Sequence, residues 1–253
     1  MLYIEGATGI SGDMTVGALL SLGSSQERLK AVLDSLKLGD EFSYVISGKA
    51  SYGIAGTDFD VILPHRHHHH EHGHHHHHHH EHRNLADVEA VIDRGEMSDR
   101  ARALAKRAFR FVAEAEAKAH GKPLGEVHFH EVGAIDSIVD IVSAAVLFDD
   151  LGETECVVTG LTEGSGTVMC AHGELPVPVP AVLNIAVATG VPLRVSDTKG
   201  ECVTPTGIAL AAAFRTREAL PAAYRVKGVG IGLGKRDYGR PAILRIMKIE
   251  AAE

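Results

Sequence analysis

Two histidines and three carboxylates fall within residues 127–141, on a background that is otherwise largely apolar. His128 and His130 lie two positions apart, so an extended backbone would point both side chains to the same side. Asp136 and Asp140 lie four positions apart, and in a helix their Cβ atoms would be about 5–6 Å from each other. Imidazole and carboxylate groups are common ligands of divalent metal ions. We therefore predict a metal site formed by these four side chains.

The helix that carries the two aspartates is predicted over residues 134–151 and is apolar on most of its surface. Such a helix is expected to be buried, and a buried carboxylate needs a cation, a shared proton or N–H donors. A role at the helix start is the alternative for Asp136, and for Asp140 a structural role is equally compatible with the sequence. If the two histidines are not ligands, they are hydrogen-bonded structural groups.

A glycine-rich turn near the start of the chain joins a short predicted strand to an apolar helix over residues 14–22. Free N–H groups at a helix start can bind an anion, so Gly9, Ser11 and Gly12 are candidate phosphate ligands, with Ser11 also the predicted N-cap. The alternative is a tight connection without a ligand. Asp13 would repel a phosphate unless a cation lies between them, although its charge also suits the helix dipole.

Two further segments carry candidate site residues. Thr204, Thr206 and Gly207 combine hydroxyl groups with the N–H groups of a helix start, which again favours an anion. His172 follows Cys170 closely and precedes a glycine, where its side chain can face a pocket. We include His172 among the predicted metal ligands, with a structural histidine as the alternative.

Residues 65–82 form a tract in which fourteen of eighteen residues are histidine. A purification tag and a passive solvated insertion are alternatives, but imidazole suits nickel, copper and zinc, which favours metal collection. The tract has no apolar residue to bury, so we predict that it is disordered and that it does not perform catalysis, which needs fixed geometry. The predicted collecting side chains are His67, His68, His69, His70, His72, His74, His75, His76, His77, His78, His79, His80 and His82.

Composition excludes several classes of partner. The formal net charge of -8 argues against nucleic acid or an anionic membrane. No apolar run is long enough to span a bilayer, and no secretory signal is recognisable, so a cytoplasmic protein is expected. The three cysteines are odd in number and widely spaced, unlike a disulfide framework or a zinc motif.

The alternation of apolar segments predicts an α/β fold with a mixed sheet and packed helices. We place a main domain at 1–38 and 96–253, and a small α+β subdomain with the histidine tract at 39–95. Beyond the helices already described, the predicted strands are 42–50, 54–63, 155–161, 224–233 and 242–250, the predicted helices are 25–38, 84–94, 98–120 and 180–188, and a turn is predicted at 163–167.

Four motifs resemble those of the nickel-insertion proteins of nickel-pincer nucleotide cofactor biosynthesis, the LarC family. They are Gly-Ile-Ser-Gly-Asp-Met at 9–14, the segment at 128–140, Cys-Ala-His-Gly-Glu-Leu-Pro-Val-Pro-Val-Pro at 170–180, and Val-Thr-Pro-Thr-Gly at 203–207. An internal histidine-rich tract also fits this family.

The resemblance implies a nickel chelatase of the lyase class. It would insert nickel(II) into pyridinium-3,5-bisthiocarboxylic acid mononucleotide, in a CTP-dependent reaction, to make the cofactor of lactate racemase-type enzymes. Family members usually carry a further C-terminal domain associated with CTP and with Mg or Mn. We expect that domain to be absent here and a C-terminal LarC-type chain or domain to be needed, while homo-oligomerisation stays open.

Forming a nickel–carbon bond requires loss of a ring proton, so the reaction needs a base. Asp13, Glu131 and His130 are the candidates. Two other functions remain open from the sequence: a nickel storage or delivery protein without chemistry of its own, and a metal-dependent hydrolase.

Overall fold

The computed structural model describes residues 1–64, 83–126, 135–170 and 172–252. The strands are β1 (Leu2–Gly6), β2 (Ser43–Ser51), β3 (Ile54–Ile62), β4 (Cys156–Ser165), β5 (Thr167–Cys170), β6 (Gly173–Pro176), β7 (Leu193–Lys199), β8 (Tyr224–Leu233) and β9 (Ile243–Ala251). The helices are α1 (Gly12–Ser21), α2 (Gln26–Ser35), α3 (Leu85–Arg94), α4 (Asp99–His120), α5 (Ile135–Asp150), α6 (Pro180–Thr189) and α7 (Pro205–Phe214).

Seven strands form one mixed sheet in the order β2-β3-β8-β9-β1-β4-β7, and β5 and β6 form a separate hairpin. Strand β4 runs parallel to both β1 and β7, whereas β9 is antiparallel to its neighbours β1 and β8. Strand β3 runs parallel to β8. The carboxyl ends of β1, β3, β4, β7 and β8 therefore lie at the same edge of the sheet, where ligands bind in many α/β proteins.

The main core lies between the sheet and the helices. Leu2 and Ile4 of β1 are fully buried on this side, whereas Tyr3 belongs to a smaller cluster with Met247. Helix α5 is buried along most of its length, as predicted, because its apolar residues cover nearly its whole circumference.

Helix α1 lies directly on β8, and two glycines make this possible. A Cβ atom at Gly230 or Gly232 would lie less than 3.0 Å from the main chain of α1, closer than real Cβ atoms come. This close packing explains why β8 is rich in glycine. It also holds the N-terminus of α1 at the edge where the parallel strands end.

Most predicted elements are confirmed, and two details differ. The turn predicted at 163–167 is wrong because β4 continues to Ser165 and pairs with β7, a strand that was not predicted. The hairpin of β5 and β6 was not predicted; Pro176 ends β6, where a missing N–H is tolerated. Strands β2 and β3 join the main sheet through β8, and the separate subdomain at 39–95 stays a prediction.

The histidine tract at 65–82 and the segment 127–134 lie outside the described residues. Within the described part of the chain, every helix is too short or too polar to cross a membrane.

Candidate functional site

Asp13 lies in the first turn of α1, at the carboxyl edge of the sheet. Its Oδ1 accepts a hydrogen bond from the hydroxyl of Ser11 and another from the backbone N–H of Met14 at 2.9 Å. Ser11 occupies the N-cap position as predicted, but its hydroxyl binds Asp13 and not a backbone N–H. Burial raises the pKa of Asp13, while the Ser11 hydroxyl and the charge of Lys235 oppose that rise.

Asp140 of α5 packs against the start of α1. A Cβ atom at Gly12 would overlap its carboxylate, so only glycine allows this contact. The backbone N–H of Asp13 hydrogen-bonds the Asp140 carboxylate, but Oδ1 is buried without a hydrogen-bond partner among the described residues. Burial, followed by the charges of Asp13 and Asp136, raises the pKa of Asp140 well above its usual value.

Lys235 supplies a positive charge beside this pair. It follows the end of β8, forms an ion pair with Asp60 of β3, and has its Nζ 3.9 Å from Oδ2 of Asp13. Burial lowers the pKa of Lys235, but the hydrogen bond to Asp60 and the charge of Asp13 outweigh it, so the net pKa is raised. Among the described residues, this lysine is shared between Asp60 and Asp13, so the charge of Asp140 is only partly compensated.

Asp136 differs from Asp140 because it is exposed. Its Oδ1 accepts a hydrogen bond of 2.8 Å from the N–H of Ser137, a contact made at the start of α5. This contact is compatible with a helix-start role for Asp136, whose charge also acts on Asp140. His128, His130 and Glu131 lie outside the described residues, and their roles stay predictions.

The two predicted phosphate-binding segments are joined directly. The N–H of Ile10 donates to the carbonyl of Cys202 at 2.9 Å, and the N–H of Thr204 donates to the carbonyl of Ile10 at 3.0 Å. A Cβ atom at Gly9 would lie too close to Cys202, and one at Gly207 too close to Ile10. These glycines are thus explained by close packing within the chain.

The hydroxyl groups of these segments also have protein roles. The side chain of Thr204 caps α7 by accepting from the N–H of Gly207 at 3.0 Å, and Thr206 is buried. Phosphate binding at Gly9, Ser11 and Gly12 or at 204–207 stays a prediction.

Glu163 near the end of β4 was not identified from the sequence. It is fully buried, and Oε1 accepts hydrogen bonds from the N–H groups of Gly164, Cys202 and Val203 at 2.6–2.9 Å. Burial raises the pKa of Glu163, while these N–H groups oppose the rise. The carboxylate holds the segment that pairs with Ile10 in place. The only local signal was a charged residue next to glycine, which by itself predicted a turn.

His172 lies in the turn between β5 and β6 and lines a cavity of about 420 Å³. Its ring centroid is 4.9 Å from that of His120, the last residue of α4. Glu116, Glu201 and Arg236 line the same cavity. Across the described ranges, no three His, Cys, Asp or Glu side chains are arranged to hold a metal ion together.

Comparison with known proteins assigns the family. The family model described as "Nickel insertion protein" matches residues 2–253. A pyridinium-3,5-bisthiocarboxylic acid mononucleotide nickel insertion protein of Alkaliphilus metalliredigens is 51% identical over 98% of this chain and 60% of its own length. A protein of the same name from Acetivibrio thermocellus is 41% identical over 100% of this chain and 61% of its own. A putative nickel insertion protein of Geobacter sp. is also 41% identical, over 99% and 62%.

No solved structure matches the chain significantly. The chain spans about 60% of the length of these curated relatives. Because the matches cover nearly all of this sequence at high identity, the resemblance seen in the four motifs is confirmed: the chain belongs to the nickel insertion protein family.

Proposed function

We propose that this protein inserts nickel(II) into pyridinium-3,5-bisthiocarboxylic acid mononucleotide, acting as a nickel chelatase of the lyase class. The product would be the nickel-pincer cofactor of lactate racemase-type enzymes. Nickel is here a substrate, and the names of the relatives support this choice of organic substrate.

The observation that carries the proposal is the Asp13–Asp140 pair at the carboxyl edge of the sheet. Oδ1 of Asp140 is buried and unpartnered among the described residues, and the one nearby lysine is shared with Asp60. A buried carboxylate that is only partly compensated costs stability, so a protein that retains one is expected to use it. A divalent cation or a transferred proton would satisfy it.

Ring metallation needs a base, and the pair provides one. The C–H bond of the pyridinium ring breaks, its electron pair forms the nickel–carbon bond, and the proton moves to a carboxylate. No oxidant is required, because nickel stays divalent. A raised pKa makes a carboxylate a stronger base near neutral pH, which favours Asp140 and Asp13 for this step. Glu131 and His130 stay candidates beside them.

The other predicted parts have separate tasks in this proposal. His128, His130, Asp136, Asp140 and His172 are the proposed nickel ligands at the insertion site, since imidazole and carboxylate bind nickel without the tight retention of thiolates. The histidines of the tract at 65–82 collect nickel for that site.

The insertion reaction is proposed to depend on CTP with Mg or Mn. Binding of CTP and of that metal ion is assigned to a C-terminal LarC-type chain or domain. The relatives support this division because they extend well beyond the part that matches this chain.

The test is incubation of the protein with nickel(II), CTP, Mg²⁺ and the mononucleotide, with and without a C-terminal LarC-type chain, followed by mass spectrometry of the organic product. The mass should rise by that of one nickel ion with loss of protons. Asp140→Asn should reduce the insertion rate at least tenfold. Asp34→Asn is the matched control, because that carboxylate is exposed and pairs with Lys30 on its own helix.

Failure to metallate in the presence of both chains would contradict the proposal. Nickel binding without any metallated product would instead favour a storage or delivery protein. Hydrolysis of an ester without the thiolated substrate, lost in Asp140→Asn, would favour the hydrolase alternative.

A further inference from the structure

The connection between β8 and β9, residues 234–242, carries three cationic side chains at the carboxyl edge of the sheet. At its base the N–H of Gly234 donates to the carbonyl of Ala242 at 2.8 Å. The next residue, Ile243, donates its N–H at 3.1 Å to the hydroxyl of Thr8, which belongs to the glycine-rich turn before α1. The connection is therefore anchored to the turn that was predicted to bind a phosphate.

Two of the three cations have carboxylate partners. Lys235 pairs with Asp60, and Arg236 pairs with Glu201 at 3.1 Å. Arg240 differs, because its Nε and Nη2 atoms are buried without a hydrogen-bond partner in the described part of the chain. A buried cation without a partner is costly, so this guanidinium is expected to meet an anion when the protein works.

Arg240 lies next to both predicted phosphate-binding segments. Its guanidinium contacts the thiol of Cys202. The carbonyl of Cys202 accepts a hydrogen bond of 2.9 Å from the N–H of Ile10, and a Cβ atom at Gly9 would lie only 2.9 Å from the Cβ of Cys202. Thr204, the N-cap of α7, follows two positions later. The guanidinium is thus placed where the turn before α1 meets the segment before α7.

The two nitrogens without a partner lie on the same edge of the planar guanidinium. Their N–H groups point in nearly the same direction and are spaced to bind two oxygens of one phosphate or carboxylate. Arg240 as a residue is only half-buried. A rotation of its long side chain can therefore bring this edge to a bound ligand.

Glu163 is the carboxylate that would be the internal alternative to a ligand, because its charge also acts on the Cys202 thiol. The two side chains are not bonded to each other. Oε1 of Glu163 accepts from three backbone N–H groups, and Oε2 is buried without a partner among the described residues, as are Nε and Nη2 of Arg240. The guanidinium edge is therefore available for an anion from outside the protein.

We propose that Arg240 binds the phosphate monoester of the mononucleotide and so selects the nucleotide over its nucleoside. This inference rests on the proposed function for the identity of the mononucleotide. The thiocarboxylates of that substrate must face the nickel, which leaves the phosphate for a donor that binds two oxygens. Lys235, at the other end of 234–242, lies beside Asp13. The reacting ring and the phosphate would thus lie at opposite ends of the same connection.

The test compares binding of the mononucleotide with binding of its nucleoside, which is made by removing the phosphate with a phosphatase. Isothermal titration calorimetry of the full chain without nickel measures both dissociation constants. The parent should bind the mononucleotide at least about tenfold more tightly, as expected for a charged, two-donor hydrogen bond. In Arg240→Gln this preference should disappear, while the affinity for the nucleoside should stay that of the parent.

Two further variants separate the shape of the guanidinium from its charge. Arg240→Lys retains the charge but not the two-donor edge, so it should recover only part of the preference. Arg217→Gln removes a positive charge at the opposite edge of the sheet, where Arg217 bonds the start of β4 and pairs with the exposed Glu155. It should keep the preference of the parent. Thermal unfolding of each variant checks that the protein is folded.

The inference is overturned if the parent shows no preference, or if folded Arg240→Gln keeps it. It is also overturned if Arg240→Gln loses affinity for both ligands by the same factor, which would make Arg240 a structural group. Because the binding test needs no nickel, a preference that depends on Arg240 in a protein that never metallates would refute the proposed function alone. Metallation by the parent, with an unchanged KM for the mononucleotide in Arg240→Gln, would refute the phosphate contact alone.

Discussion

At the scale of single residues, the carboxylate of Asp140 is unfavourable for stability. Its Oδ1 is buried without a partner among the described residues, and the adjacent Asp13 adds a like charge. Lys235 offsets part of this repulsion but also pairs with Asp60. Folding alone would favour a neutral side chain at this position, so the carboxylate is best explained by a reaction or a cation.

Asp140→Asn should therefore stabilise the nickel-free protein. Burial raises the pKa of Asp140 above 3.8, so below about pH 4 the carboxyl is neutral in both states and costs nothing. As the pH rises toward the raised pKa, the unfolded chain releases its proton first and the folded protein loses stability.

The gain from Asp140→Asn should thus appear above about pH 4 and reach about 1–3 kcal/mol by pH 7.5, the scale of an unsatisfied buried group. Urea unfolding at pH 4.5 and 7.5, with a chelator present, measures it. A variant less stable than the parent at pH 7.5 would show that the charge is compensated.

Glu163 is a buried carboxylate whose Oε1 has a structural role, although its Oε2, like Oδ1 of Asp140, is buried without a hydrogen-bond partner among the described residues. Glu163→Ala leaves the N–H groups of Gly164, Cys202 and Val203 without their acceptor and should cost about 3 kcal/mol or more, at about 1–3 kcal/mol for each buried group. Glu163→Gln retains one oxygen and should cost less. Amide hydrogen exchange at Cys202 and Val203 should speed up in the alanine variant only. Equal exchange in both variants would contradict this role.

At the scale of elements, the contact of α1 with β8 positions the site. The glycines of β8 let the helix backbone approach the strand, and the helix start then meets α5 through Gly12. Segment 202–207 is hydrogen-bonded to the same turn. The position of Asp13 is thus set by the close contacts of α1 and its preceding turn with β8, with Asp140 of α5 and with segment 202–207.

Gly232→Ala tests this dependence. The added methyl group would overlap the main chain of α1, so we expect a loss of about 1–3 kcal/mol in the free energy of unfolding, together with slower insertion. Gly48→Ala in β2 is the control, because a Cβ atom there meets nothing within 4 Å. Chemical denaturation of both variants gives the comparison. Equal stability would indicate that α1 can shift without cost.

At the scale of the whole molecule, nickel collection and nickel insertion are proposed for different parts of the chain. The histidine tract at 65–82 connects β3 to α3, and its composition favours loose binding of several ions. Insertion needs fixed side chains, which the packed helices and the sheet edge provide.

Removing residues 65–82 separates these two tasks. At limiting nickel the deletion variant should insert more slowly than the parent, because less metal is held near the site. At saturating nickel the rates should agree within about twofold, since an uncollected ion then reaches the site by diffusion. The measurement is product mass against nickel concentration. Loss of insertion even at saturating nickel would give the tract a direct role in the reaction.

Local sequence patterns predicted most elements, because the side-chain periods of helices and strands depend only on near neighbours. They failed at β7, a largely exposed edge strand without clear alternation, and at 163–165, where glycine suggested a turn inside β4. They selected Asp13, Asp140 and His172 as candidate site residues by residue type and context. Lys235, Glu163 and Arg240 were missed, because nothing nearby in the chain distinguishes them.

The sequence by itself determined the chemistry available to this protein: imidazole and carboxylate groups, a buried helix carrying Asp140, and a glycine-rich helix start carrying Asp13. Only the tertiary structure decided which groups meet. The two aspartates come from helices far apart in the chain, and Lys235 reaches them because β8 lies beneath α1. Such contacts follow from the order of the strands in the sheet and from glycines that let a helix lie close to a strand. Neither can be read from the spacing of residues along the chain.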